Sequence, residues 1–341
     1  MENRRVIIIA EAGVNHNGNL EMARRMVIEA RRAGADYVKF QTAVPELVIS
    51  SIAPKAAYQK ETTGSEQSQL EMCRAIHLPV SDYAGLAGLC REEGIGFMST
   101  PFDLVSIGVL ADLKMDYWKI PSGEVTNLPY LRKIAGYGGR VIMSTGMCEM
   151  REVADAVDVL EKGGIPRKDI ILLHCNTQYP TPMKDVNLLA MDDLRALGCG
   201  GVGYSDHTVG IEVPVAAVAL GACVIEKHFT LDKNLPGPDH RASLEPWELA
   251  QMVKSIRNIE QALGTKQKHV SDSERPNIEV ARKSIVAARD IKKGEVFTEE
   301  NITVKRPGNG ISPMRWDEVI GTVAMRDFDY DSLIAVPQDK G

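Results

Sequence analysis

The stretch RVIMSTGMCEMREVADAVDVLEKGGIPRKDIILLHCN, residues 140–176, contains one complete strand–helix–strand unit. Its two apolar runs, RVIMSTG (140–146) and IILLHCN (170–176), have the length of buried strands. Between them, REVADAVDVLEKGG (151–164) spaces its apolar residues for a helix and ends in two glycines. A unit of this kind predicts two parallel strands joined by a crossover helix.

The same unit recurs along the chain. Helical stretches such as NLEMARRMVIEARRAG (19–34) separate further apolar runs of strand length. These runs are VIIIAEA (6–12), YVKFQT (37–42), GFMST (96–100), YWKIPS (117–122), GVGYS (201–205) and CVIEKHF (223–229). Eight strands with crossover helices predict a closed (β/α)8 TIM barrel. An open doubly wound sheet is the alternative, but no G-x-G-x-x-G sequence follows the first strand to support it.

The composition changes after residue 264. Residues 265–280 are polar and without period, which predicts a linker. Residues 281–341 have short β-rich runs, turn signals and little helical pattern. We therefore expect residues 1–264 to form the barrel and residues 281–341 to form a small β-rich domain.

The overall composition argues against several classes of protein. The chain of 341 residues has a net charge of −6 and no long basic run, which argues against nucleic-acid binding. No window approaches the ~20 apolar residues of a membrane span. Six scattered cysteines without a C-x-x-C motif predict reduced thiols in a cytoplasmic protein.

Polar residues gather at the carboxyl ends of the predicted strands, where barrel enzymes place their chemistry. His207 and His228 end neighbouring strands, which lie about 4.8 Å apart in a sheet, so one metal ion could bind both imidazoles. Two nitrogen ligands, with oxygen for the remaining positions, favour Mn²⁺, with Mg²⁺ and Co²⁺ as alternatives. A single histidine is more often structural, and the metal prediction therefore depends on the pair.

Lys39 and Lys119 add fixed positive charge to the same rim. The hydroxyl-bearing residues beside them are Ser122, Ser144, Thr177 and Ser205. Together these groups favour a phosphate or carboxylate ligand. Glu11 and Glu124 are candidates for an acid, a base or a partner of a substrate hydroxyl. The residues alone thus predict a metal-assisted barrel enzyme that acts on a phosphorylated, polyhydroxylated anion.

Motifs along nearly the whole chain resemble those of the sialic acid synthases. They are AEAGVNHNG (10–18), YVKFQT (37–42), MSTPFD (98–103), WKIPSGE (118–124), IMSTGM (142–147), HCNTQYPTP (174–182), GYSDHT (203–208), EKHFTLDK (226–233), GPDH (237–240) and KRPGNGISP (305–313). The motifs are specific as a set, although short ones would mean little alone. The second domain resembles the antifreeze-like (SAF) module that these synthases carry.

The resemblance implies a reaction in which phosphoenolpyruvate condenses with open-chain N-acetylmannosamine to give N-acetylneuraminate and phosphate. It implies that His207 and His228 bind the metal and that Glu11 acts as a base or a sugar-hydroxyl partner. The implied contacts to phosphoenolpyruvate are Lys39, Lys119, Ser122, Ser144, Thr177 and Ser205. The implied contacts to the acceptor sugar are Gln41, Glu124, Tyr179, Asp239 and Arg306. In a domain-swapped homodimer, which the resemblance also implies, Arg306 reaches the barrel of the partner protomer.

Other functions stay open. N,N′-diacetyllegionaminate synthase uses 2,4-diacetamido-2,4,6-trideoxymannose, and Gln178 and residues 58–69 leave the choice of acceptor undecided. A class II aldolase that uses pyruvate would release no phosphate. A non-enzymatic protein that binds carbohydrate or ice would have no use for a rim of lysine, glutamate and histidine.

Overall fold

The computed structural model describes residues 5–56, 59–60 and 68–336. The chain forms two compact units, residues 1–264 and 265–341. The predicted loop at residues 58–69 lies largely outside the described residues. No helix in the described ranges is both long and apolar enough to span a membrane.

The first unit is built on eight parallel strands. They are β1 (Ile7–Gly13), β2 (Tyr37–Thr42), β3 (Gly96–Pro101), β4 (Tyr117–Ile120), β5 (Arg140–Ser144), β6 (Ile170–Cys175), β7 (Gly201–Asp206) and β8 (Val224–His228). Hydrogen-bonded neighbours follow the order β3-β2-β1-β8-β7-β6-β5-β4. The two end strands, β3 and β4, pack against each other, so the sheet curls into a barrel. The predicted barrel is therefore confirmed.

Helices connect the strands. They are α1 (Leu20–Ala33), α2 (Pro45–Val48), α3 (Gln69–Ile76), α4 (Tyr83–Glu93), α5 (Leu104–Asp112), α6 (Leu128–Tyr137), α7 (Met150–Lys162), α8 (Met191–Arg195), α9 (Glu212–Ala219) and α10 (Pro246–Ala262). Helix α1 shows how individual residues determine where a helix begins and ends. The side chain of Asn19 accepts a hydrogen bond from the backbone N–H of Met22, and Gly34 ends α1 at a φ of 87°. These are a polar N-cap and a left-handed glycine stop.

Strand periodicity divides the barrel into two cores. Outward-facing residues such as Ile8 and Val38 pack under the helices. Inward-facing residues, among them Ile9 and Val224, form a separate apolar layer inside the barrel. Because side chains alternate along a strand, the residue two positions beyond Ile9, Glu11, faces the same lumen nearer the carboxyl end. The polar site therefore lies directly above an apolar floor.

The second unit is small and β-rich, as predicted. Its elements are α11 (Asn277–Ala281), β9 (Ser284–Ala287), β10 (Ile302–Lys305) and α12 (Trp316–Val319). β9 and β10 pair antiparallel. Ile285, Phe297 and Phe328 lie in its own apolar core. The predicted linker, residues 265–280, includes the first residues of α11.

Candidate active site

Four charged side chains meet inside the barrel. Lys39 Nζ lies 2.6 Å from Glu11 Oε2 and 3.7 Å from Glu226 Oε2. Lys119 Nζ lies 3.6 Å from Glu226 Oε1. None of the four residues is more than 5% exposed. Buried charges are costly even when paired, so a cluster of this kind favours a functional role over a structural one.

Hydroxyl groups surround this cluster. Lys119 Nζ donates to Ser144 Oγ at 2.7 Å, and Lys39 Nζ donates to Thr100 Oγ1 at 3.0 Å. Ser205 Oγ donates to Glu226 Oε1 at 3.0 Å. Ammonium and hydroxyl donors thus converge from five strands on one water-poor space. An anion with several oxygens fits this donor set.

A tight corner forms where the chain leaves β4, β5 and β6. The backbone N–H of Gly146 donates to Ser122 Oγ at 2.9 Å. A Cβ atom at Gly146 would lie 2.8 Å from Thr177 Cγ2 and 3.1 Å from Ser122 Oγ. Glycine at this position therefore allows the loops that carry Ser122 and Thr177 to approach each other. Ser122 and Thr177, two of the four hydroxyl residues predicted from the sequence, thus belong to this corner.

The two buried glutamates have opposite pKa shifts. Burial raises the pKa of Glu11 to about 7, because it outweighs the attraction of Lys39. Burial also opposes ionisation of Glu226, but Lys119 and Lys39 together lower its pKa below the ordinary value. Neighbouring carboxyl groups whose pKa values are pushed apart are typical of acid–base catalysis. Glu11 is the member of the pair that can exchange a proton near neutral pH.

His207 and His228 lie side by side at the carboxyl ends of β7 and β8, with ring centroids 5.5 Å apart. His207 Nδ1 donates to the backbone carbonyl of Asn176, which leaves the lone pair on Nε2. The hydroxyl of Tyr179 donates to that Nε2 at 2.9 Å. His228 Nδ1 is buried and has no hydrogen-bond partner among the described residues.

The histidine pair fits a divalent cation. Burial lowers the pKa of His207 to about 4 and also lowers that of His228, so both rings are neutral, as metal ligands must be. Glu11 is close by, since a Cβ at Gly13 would lie 3.2 Å from Glu11 Oε1 and 3.4 Å from His228 Cε1. In the part of the chain that the structure describes, no group of three or more His, Cys, Asp or Glu has metal-binding geometry. A cation here would therefore need further oxygen ligands from water or substrate.

The predicted sugar contacts are only partly brought together. Gln41 Nε2 donates to Glu11 Oε1 at 3.0 Å, and the ring of Tyr179 stacks 4.1 Å from that of His207. Glu124 follows β4 and accepts a hydrogen bond from Asn127. Asp239 follows β8, and burial raises its pKa to about 6. Arg306 is exposed in the second unit, where its Nε donates to the carbonyl of Ala281.

Sequence reasoning gave no role to Glu226 and Thr100, which hold the two lysines. The signal for Glu226 was its spacing. It lies two residues before His228 and two after Val224, and strand periodicity places all three on the face toward the lumen.

Comparison with known proteins agrees with this fold. Residues 26–268 match the NeuB family and residues 282–335 match the SAF domain. The chain is 51% identical over 331 residues to N,N′-diacetyllegionaminic acid synthase of Campylobacter jejuni, covering 97% of this chain and 99% of that one. It is 36% identical over 304 residues to human N-acetylneuraminate-9-phosphate synthase, covering 87% of this chain and 82% of that one.

A solved structure has the same architecture. The N-acetylneuraminic acid (sialic acid) synthetase of Leptospira borgpetersenii superposes with a TM-score of 0.70 at 35% identity, covering 81% of this chain and 91% of that chain. Together with the lumen cluster, these similarities define an enzyme of the nonulosonate-synthase class. The chain belongs to the NeuB family, which confirms the resemblance found in the sequence.

Proposed function

We propose that the chain condenses phosphoenolpyruvate with an N-acetylated mannose-type sugar to give a nonulosonate and phosphate. The observation that carries this proposal is the buried cluster of Lys39, Lys119, Glu11 and Glu226 beside a pair of neutral histidines. Its donors suit a small, highly charged anion, and its titratable carboxyl suits proton transfer near neutral pH.

The acceptor that we propose is 2,4-diacetamido-2,4,6-trideoxymannose. Besides the relative in Campylobacter jejuni, N,N′-diacetyllegionaminic acid synthase of Legionella pneumophila is 46% identical over 317 residues. This takes the alternative predicted from the sequence as the first candidate. N-acetylmannosamine stays the second, because a sialic acid synthetase of known structure is 35% identical.

Phosphoenolpyruvate is held by the donors of the lumen. Their charges are fixed before substrate arrives and lie in a water-poor site, where they need not reorganise as charge develops. The residues assigned to its phosphate and carboxylate are Lys39, Lys119, Ser122, Ser144, Thr177 and Ser205. Thr100 and Glu226 keep the two ammonium groups in place.

C3 of phosphoenolpyruvate attacks the aldehyde carbon of the open-chain sugar, water adds at C2, and phosphate leaves with cleavage of the C2–O bond. His207 and His228 would hold a divalent cation, for which we propose Mn²⁺, and that cation would supply Lewis-acid polarisation of the aldehyde. Glu11, protonated when the substrate binds, gives its proton to the aldehyde oxygen as C3 attacks, and the carboxylate so formed takes a proton from the water that adds at C2. Its pKa of about 7 suits both transfers.

The acceptor sugar is assigned to the outer part of the site. Gln41 and Tyr179 lie beside Glu11 and His207, while Glu124 and Asp239 lie on loops that follow barrel strands. For Arg306 we keep the role predicted from the sequence, contact with sugar in the barrel of the partner protomer of a domain-swapped homodimer.

The proposal is tested by phosphate release from phosphoenolpyruvate with Mn²⁺. The reaction is run with 2,4-diacetamido-2,4,6-trideoxymannose, with N-acetylmannosamine and with no acceptor. Release that depends on the trideoxy sugar supports the proposal. Release only with N-acetylmannosamine keeps the chemistry and changes the acceptor, because a pocket that bonds the 6-hydroxyl rejects a sugar without it. No release with either sugar refutes the proposed reaction.

A matched pair of lysine variants tests the anion site. Lys119→Met removes a buried ammonium group, and we expect kcat/KM for phosphoenolpyruvate to fall at least about 30-fold. Lys292→Met removes an exposed lysine that pairs with Asp327 in the second unit, and should change nothing. Equal kinetics for the two variants would remove Lys119 from the site.

A further inference from the structure

A second buried ion pair lies behind the histidines, on the outward-facing side of β7 and β8. Lys227 is 0% exposed and Asp206 is 1% exposed. Lys227 Nζ binds Asp206 Oδ2 and also donates to the carbonyl of Thr208 at 2.7 Å. Thr208 Oγ1 donates to Asp206 Oδ1 at 2.9 Å. We call Asp206, Thr208 and Lys227 the strand-end triad.

The triad brackets both histidines in the chain. Asp206 and Thr208 flank His207, and Lys227 precedes His228. The last register pair between β7 and β8 is Asp206 with Lys227. Beyond that pair the regular ladder no longer holds the two strands together. Lys227, the residue before His228, therefore binds both chain neighbours of His207 through its ammonium group.

Stability alone gives a weak reason for such a pair. Replacing a buried ion pair with apolar residues of similar volume is often neutral or stabilising. A buried pair can instead fix the register of the elements it joins. Here the register in question is the spacing between two imidazoles, which a shared cation must match closely.

We propose that the strand-end triad consists of positioning residues that set the spacing of His207 and His228 and thereby the affinity of the site for a divalent cation. The inference rests on the proposed function, because it takes the two histidines as the ligands. Mutation of residues that support metal ligands from behind typically lowers metal affinity or activity by roughly 10–100-fold.

The test is titration of the metal-stripped, full-length protein with Mn²⁺, with free Mn²⁺ measured by electron paramagnetic resonance. The double variant Asp206→Asn/Lys227→Met removes both charges together, so no unpaired charge stays buried. We expect its dissociation constant for Mn²⁺ to rise about 10-fold or more. We expect a smaller rise for Thr208→Val, which loses only the hydroxyl, and wild-type affinity for Thr208→Ser, which keeps it.

A matched control separates positioning from general destabilisation. Arg257→Met breaks a partly buried pair with Asp36 near the amino ends of β1 and β2, away from the histidines. It should lower the melting temperature but leave Mn²⁺ affinity unchanged. If the dissociation constant for Mn²⁺ rose as much in this control as in the double variant, the proposal would be overturned.

The remaining outcomes are also decisive. Folded triad variants, judged by circular dichroism, that bind Mn²⁺ like the wild type overturn the inference and leave the proposed reaction untouched. If the double variant does not fold, the comparison of Thr208→Val with Thr208→Ser decides. Wild-type protein that does not bind Mn²⁺, or His228→Ala that binds it normally, overturns both this inference and the metal assignment.

Discussion

Replacing Glu11 with glutamine should stabilise the protein at alkaline pH while it removes activity. Burial raises the pKa of Glu11 from an ordinary value of 4.5 to about 7. Each pKa unit corresponds to about 1.4 kcal/mol, so ionised Glu11 costs the folded state about 3 kcal/mol. Glutamine keeps the shape of the protonated carboxyl group and cannot ionise.

The sign follows from where the proton is held. Between pH 4.5 and about 7 the folded protein keeps the proton on Glu11, whereas the unfolded chain has lost it. The wild type therefore loses stability as pH rises through that window. Relative to the wild type, Glu11→Gln should be more stable by about 1 kcal/mol at pH 5 and by about 3 kcal/mol at pH 8.

Urea unfolding at the two pH values measures this difference, with far-ultraviolet circular dichroism as the probe. Glu21→Gln, on the exposed side of α1, makes the same chemical change and should show no such difference. A Glu11→Gln effect that is equal at pH 5 and pH 8, or that is destabilising at pH 8, would refute the raised pKa. Loss of phosphate release in Glu11→Gln would not depend on that outcome, because it reports activity and not stability.

Three further predictions concern single residues. His207→Ala or His228→Ala should abolish phosphate release with unchanged circular dichroism, and full activity of either variant in metal-stripped buffer would contradict the metal assignment. Gly146→Ala places a methyl group 2.8 Å from Thr177 Cγ2. Because overpacking costs about 1–3 kcal/mol, we expect the KM for phosphoenolpyruvate to rise about 10-fold in steady-state kinetics, and an unchanged KM would exclude that corner from the anion site. Arg306→Ala should raise the KM of the acceptor and leave that of phosphoenolpyruvate unchanged. Equal acceptor KM values in variant and wild type would refute a role for the second domain in sugar binding.

The strands could be predicted from the sequence because their signals are local. YVKFQT has the bounds of β2, residues 37–42, and the other strand predictions differ from the structure by one or two residues at an end. The largest differences follow β4 and β5, which end at Ile120 and Ser144. Pro121 has no N–H with which to continue a ladder, and Ser122 consequently begins a 3₁₀ turn.

The candidate site was predictable only where the position of a residue in its own strand determines which way the side chain faces. Strand-end position and periodicity were sufficient to predict that Lys39, Lys119 and the two histidines lie at the same end of the barrel. The contacts of Glu226 were not predictable, because its partners Lys39 and Lys119 lie on β2 and β4, neither of which pairs with β8. Contacts between distant strands depend on how the barrel closes, and no local pattern encodes them.

Lys39 already has a carboxylate at 2.6 Å before any anion enters the barrel. If Lys39 binds phosphoenolpyruvate, as we propose, the substrate replaces Glu11 at that ammonium group, and a displaced carboxylate is expensive to keep ionised in a buried space. Glu11 should therefore take up a proton from solvent when the substrate binds near neutral pH. Calorimetric titrations in two buffers of different ionisation heat would count that proton, and identical heats would exclude its uptake. Uptake of a solvent proton together with the substrate anion would limit the change in the net charge of the lumen. Affinity for phosphoenolpyruvate would therefore weaken as the solution becomes more alkaline.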